Sequence, residues 1–139
     1  MYPIHFCPSL LAEGYSTYSP AALRHLFDGK KVSPYLDFAL ESDENLAALN
    51  ESRDVLSISG AQEKYAACIK NNQISLSTEK DLTTHIVKPA PLAKISYRKQ
   101  IPANEHLTMQ IAKQVYGIDT ADNGLCFSSD DQVVYITKR

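Results

Sequence analysis

Three short stretches of this chain put chemically capable residue types where a strand turns or a helix starts. The first is Ser57-Ile58-Ser59-Gly60-Ala61-Gln62-Glu63-Lys64, between two segments of strand character. A strand–turn–strand with glycine at its tip lets a ligand approach the main chain, and it aims successive N–H groups at an anion. That chemistry is phosphate binding. The same residues also read as a hairpin turn with solvated polar side chains, because one glycine falls short of the multi-glycine phosphate loops.

The second is Lys88, which ends the apolar run His85-Ile86-Val87 just before Pro89. An ammonium at the end of a buried strand needs an anionic partner or a route to water. It either reaches a nucleotide phosphate as a point charge or snorkels at the strand end. The third is Glu105, in Asn104-Glu105-His106. A carboxylate in a first helical turn complements the dipole by ~0.3–1 kcal/mol. The sharper alternative is that it pairs with Lys88 and orients it.

The elements that must position these residues are legible from period and punctuation. Ser19-Pro20 reads as a cap and first turn, opening a short helix through Ala21, Leu23 and Leu26 that ends at Gly29. Residues 42–50 suggest a second short helix with acids in its first turn. From Val55 the period changes to that of strands: 55–58, 64–70, 73–77 and 83–88. Asn71-Asn72 supplies a hairpin turn, and Pro89 and Pro91 close the last strand. Asn104 is the expected cap of a long helix whose apolar stripe is Leu107, Ile111 and Val115, with Gly117 ending it. A final hairpin pairs 125–127 with 133–137 across Ser128-Ser129-Asp130-Asp131. The expected class is α+β, a mostly antiparallel sheet with one long helix across it and short helices at the N-terminus.

Composition narrows the function classes. With 139 residues, 44% hydrophobic and 22% charged, the chain has the balance of one globular domain. Fourteen Lys and Arg against sixteen Asp and Glu leave a net charge of -2, so there is little footprint for direct nucleic-acid or anionic-membrane binding. Apolar runs are far shorter than the ~18 residues of a membrane helix, and the N-terminus has no secretory pattern. Cys7, Cys68 and Cys126 form no CxxC pair, and the four histidines have no metal-ligand spacing. The expectation is a cytoplasmic chain with small buried thiols and no metal site.

Taken together and in order, the segments are similar to one family. SISGAQEK (57–64), THIVKP (84–89), NEHLTMQIAKQVYGI (104–118) and VVYITKR (133–139) resemble the HipA-like serine/threonine kinases of bacterial toxin–antitoxin systems. Gly14-Tyr15-Ser16-Thr17 and the early position of the glycine loop resemble the shorter HipT type, in which a separate small protein supplies a subdomain. The resemblance implies a protein-kinase-like small lobe at 55–139, with 1–54 as a helical, turn-rich segment packed on it. It implies that Ser59, Gly60, Ala61, Gln62, Glu63 and Lys64 face the ATP phosphates, and that Lys88 contacts them with Glu105 orienting it. Lys138 and Arg139 would begin the adenine hinge, chiefly through main-chain groups. Ser57 and Ser59 resemble paired autophosphorylation serines, and phosphates there add about -1.5 to -2 charge each in the space ATP phosphate needs.

In the family, the catalytic aspartate, its asparagine and the Mg2+ ligand belong to a large helical lobe after ITKR, which is expected to be absent here. Alone, such a chain should be catalytically silent. The implied substrate is a protein serine, with aminoacyl-tRNA synthetases as the family's targets, and the implied partner is an antitoxin or small regulatory subunit. The competing readings are a silent interaction module that binds such a partner, and an unrelated small α+β binding protein.

Overall fold

The computed structural model describes residues 3–40, 62–92 and 95–139. The expected strand at 55–58 and helix at 42–50 lie outside them. Ser19 takes an extended conformation and its hydroxyl accepts the Ala22 N–H at 3.2 Å. With Pro20 fixing the first helical φ, helix α1 runs Pro20–Phe27. It stops where Asp28 turns left-handed at φ 53°, and Gly29 follows at φ 83°.

Five strands follow in the described residues: β1 (Tyr65–Lys70), β2 (Gln73–Leu76), β3 (His85–Lys88), β4 (Asn123–Phe127) and β5 (Val133–Lys138). They form one sheet in the order β2-β1-β3-β5-β4, antiparallel at every pairing. Asn71 and Asn72 make the β1–β2 turn, both at positive φ (50° and 60°). Asparagine tolerates that region because its short side chain bonds locally.

Strand alternation divides the sheet into two faces. One presents Tyr65, Ala67, Ile74, Val87, Val134, Ile136 and Cys126, and residues 3–40 cover it. Tyr18, Ala22, Leu26, Phe27, Val32 and Leu36 join these in one buried cluster. His85 belongs to this face and bonds the Leu26 carbonyl through Nε2 at 2.7 Å. The thiols of Cys7, Cys68 and Cys126 are free and buried. Gly124 lies beneath Leu26 of α1 and residues 8–9 of the N-terminal loop. A Cβ there would lie 3.1 Å from the Leu26 side chain and 3.2 Å from Ser9 Cβ.

The other face presents Ile86, Lys88, Tyr135, Thr137, Asn123 and Leu125, and the long helix α2 (Ile101–Gln114) packs on it against β5 and β4. Two expectations for α2 are corrected. Asn104 is not the cap: a 3-10 turn at Arg98–Gln100 leads into Ile101, and Pro102 occupies the first turn. Proline has no N–H to leave unpaired there, so the helix starts four residues early, with Gln100 in the cap position. Nor does the aliphatic stripe face the sheet. Leu107, Ile111 and Val115 are 48%, 41% and 70% exposed, whereas Pro102, His106 and Gln110 are buried. The helix is turned by one residue, about 100°. Gly117 ends it as expected, at φ 64°, with the Ile118 N–H reaching back to Ala112 O at 2.9 Å.

Residues 8–10 wrap the β4 edge and reach α2. The Leu125 N–H donates to Pro8 O (2.8 Å) and the Ser9 hydroxyl to Asn123 O (2.6 Å). From the helix, His106 Nε2 bonds Ser9 O (2.7 Å) and Gln114 Nε2 donates to Leu10 O (3.0 Å). Gln110 Nε2 donates to Asn123 Oδ1 at 3.0 Å.

Candidate functional site

Lys88 ends β3, and Pro89 prevents the ladder from continuing. Its cross-strand partner on β5 is Tyr135, so both side chains stand on the α2 face of the sheet. Glu105 lies in the second turn of α2, one residue before buried His106. Helix and strand together bring Lys88 Nζ to 2.6 Å from Glu105 Oε1. The ammonium also lies 5.4 Å from the centroid of the Tyr135 ring, within cation–π range.

Two sides of the ammonium are thus occupied, by a carboxylate and by a ring face. About a quarter of each charged side chain remains open to solvent: 25% of Lys88 and 27% of Glu105. Pairs this exposed contribute ~1 kcal/mol or less to stability, so the pairing matters for direction more than for folding. An oriented, reachable ammonium suits a phosphate oxygen, which needs no fork geometry from its cation. The Tyr135 phenol is pushed up to about 12, chiefly by burial, with a Thr137 hydrogen bond opposing the rise and the nearby Glu105 charge adding to it. The ring therefore stays neutral beside the ion pair.

The end of the glycine stretch approaches the same strand end. Gln62 donates its amide to Pro89 O at 3.5 Å, and the Glu63 carboxylate accepts the Leu92 N–H at 3.3 Å. Lys64 is half-buried just before β1. A small cavity of about 30 Å³ lies between Glu63, Tyr65, Pro89, Ala90 and Leu92. Ser57, Ser59, Gly60 and Ala61 lie outside the described residues.

Lys138 goes elsewhere. Three residues beyond Tyr135, it points to the α1 face, where Nζ bonds Asp28 Oδ1 at 2.6 Å and His25 O at 3.2 Å. Asp28 is held below the usual carboxylate range, first by that hydrogen bond and then by the lysine's charge. The backbone N–H groups of Lys138 and Arg139 donate to Asp122 O and Thr84 O. These two residues therefore do not meet Lys88 and Glu105.

Tyr135 was not singled out by its sequence context. The signal existed in the antiparallel pairing of 85–88 with 133–138, which sets Tyr135 opposite Lys88, but register is fixed only once the strands are paired. Among the described residues no group of three His, Cys, Asp or Glu can hold a metal ion. His85 and His106 instead bond main-chain carbonyls, and burial lowers both of their pKa values. No helix among the described residues is long and apolar enough to cross a membrane.

Residues 56–139 match the family model described as HipA-like C-terminal domain. No curated protein matches the chain.

Proposed function

From the premise that this chain belongs to the HipA-like C-terminal domain family, we propose that it supplies the ATP-binding part of a HipA/HipT-like serine/threonine-protein kinase, the toxin of a toxin–antitoxin system. The observation that carries this reading is the Lys88–Glu105 pair, 2.6 Å apart between β3 and α2 and open to solvent on one side. A lysine held this way can meet nucleotide phosphate without a conformational search, which is where phosphoryl transfer gains most from the protein.

In this reading Lys88 takes the phosphates as a point charge and Glu105 keeps it aimed. Ser59 to Lys64 cover the phosphates with main-chain N–H groups. The hinge begins near Lys138 and Arg139, through main-chain groups rather than their side chains. Phosphate on Ser57 or Ser59 would compete with ATP for the same space. By the same resemblance, the Mg2+ that neutralises the transferred phosphate would take its protein ligands from the large helical lobe of the family. The acceptor is a protein serine, with an aminoacyl-tRNA synthetase the target class of the family, in the cytoplasm.

Titration of Mg-ATP into the chain, followed by calorimetry, tests the reading. Saturable binding that weakens with Lys88→Met and survives Lys138→Met is expected. Equal binding by the parent and Lys88→Met would refute it. A second reading, a silent module that binds an antitoxin or regulatory subunit, is favoured by one observation: the exposed aliphatic stripe Leu107, Ile111, Val115 beside Leu11. Loss of a captured antitoxin on Ile111→Glu, with ATP binding absent in the parent, would select it.

A further inference from the structure

Helix α2 carries two i, i+4, i+8 ridges side by side. Pro102, His106 and Gln110 form the buried one, and Leu107, Ile111 and Val115 form the exposed one. Transfer from water favours burying the aliphatic ridge and wetting the polar one. The helix does the opposite, so directed bonds must hold its rotation.

Those bonds converge on residues 8–10 and on Asn123, the first residue of β4. Buried His106, 1% exposed, bonds Ser9 O at 2.7 Å, and Gln114 bonds Leu10 O at 3.0 Å. Gln110, 3% exposed, bonds Asn123 Oδ1 at 3.0 Å, while Ser9 Oγ holds Asn123 O at 2.6 Å. Glu105 precedes His106 by one residue. A turn of about 100° that brought Leu107 inward would carry Glu105 the same angle away from the sheet and from Lys88.

We infer that residues 8–10 clamp the rotation of α2, and that His106 is the positioning residue for the Lys88–Glu105 pair. The clamp reaches Lys88 through the backbone of one helix and touches no ligand itself. Its consequence for nucleotide rests on the kinase reading above; the clamp itself does not.

A double-mutant cycle over Lys88→Met and Glu105→Gln, read by urea unfolding of the 139-residue chain, measures the pair directly. In the parent background the two residues are expected to be coupled by about two- to fivefold in the unfolding equilibrium constant. In a His106→Leu background the coupling is expected to vanish. In His106→Gln, whose amide can still donate to Ser9 O, it is expected to return. Simple destabilisation by His106→Leu would lower stability and leave the coupling intact, and that result overturns the inference. If His106→Leu does not fold, the decision passes to Gln114→Ala, which removes the bond to Leu10 O at 3.0 Å and the bond to Gln110 Oε1 at 2.7 Å, both part of the clamp: reduced coupling supports the clamp and unchanged coupling overturns it. ATP plays no part in this measurement, so failure of the parent to bind ATP would sink the kinase reading alone.

Discussion

Lys88 and Tyr135 are register partners across β3 and β5, with the ammonium 5.4 Å from the ring centroid. The tyrosine is 2% exposed, so its ring is held by its surroundings. A lysine alone would sweep its four-carbon stem through many rotamers. Between a rigid ring and the Glu105 carboxylate it keeps one direction, with entropy lost at folding instead of at binding.

That arrangement sets the first prediction. Lys88→Met should weaken ATP binding by roughly ten- to 150-fold, the loss expected when a charged hydrogen bond worth ~1.5–3 kcal/mol is removed. Tyr135→Phe keeps the ring face and should change the dissociation constant by less than about twofold. Tyr135→Leu should weaken ATP binding but not adenosine binding. Calorimetry with both ligands checks this, and parallel losses for the two would remove the ring from the argument.

The rotation of α2 makes a second prediction. Leu107→Gln and Ile111→Gln should each shift stability by no more than ~0.5 kcal/mol, as for surface positions. Were this stripe in the core, truncation to Ala would cost roughly 2–5 kcal/mol and burying a Gln no less. Urea midpoints of the two variants decide between these values.

Gly124 supports a third. Its φ is ordinary, so a side chain is excluded by space and not by backbone strain. A Cβ would press the Leu26 side chain, Ser9 Cβ and Pro8 O at 3.1, 3.2 and 3.3 Å. Two of those contacts belong to the N-terminal loop, which can give only by disturbing the bond to Leu125. Gly124→Ala should therefore cost ~1–3 kcal/mol, seen as a lower melting temperature. An unchanged midpoint would show that the loop yields freely.

A fourth concerns acid. Burial is the largest cause lowering both His85 and His106. Each is then neutral in the fold at a pH where the unfolded chain already binds a proton. Stability from this source is complete above about pH 6.5 and drains as pH falls through that value toward the lowered native pKa values. The slope should reach at most ~1.4 kcal/mol per pH unit for each histidine. Urea midpoints between pH 7.5 and 5.5 should fall in the parent and flatten in a His85→Gln, His106→Gln double variant. A flat parent profile contradicts it.

Much of the fold could be read from local chemistry. Ser19-Pro20 marked α1, Asn71-Asn72 the first hairpin, and the prolines after Lys88 the end of β3, because each is a backbone requirement met by one residue type. The rotation of α2 could not be read. Periodicity weighs aliphatic against polar side chains, and it has no knowledge of a Ser9 carbonyl waiting ninety-seven residues away for His106. Asn104 misled for a related reason: a capping residue is a strong signal only where the helix has not already begun at a proline. For the site, Lys88 and Glu105 stood out by position in strand and helix, whereas Tyr135 needed the β3–β5 register.

The three cysteines carry one last consequence. All are unpaired and sealed inside, and burial raises the Cys126 thiol far above its ordinary range. A thiolate is the reactive form, so alkylating reagents gain access only when the chain opens. Cys126 lies on β4 and faces the α1 side of the sheet, Cys68 is on the opposite face, and Cys7 is beside the α1 cap, where its sulfur accepts the Ser19 N–H. Three natural reporters thus sample three places in one small molecule, and their order of labelling would chart which layer parts first.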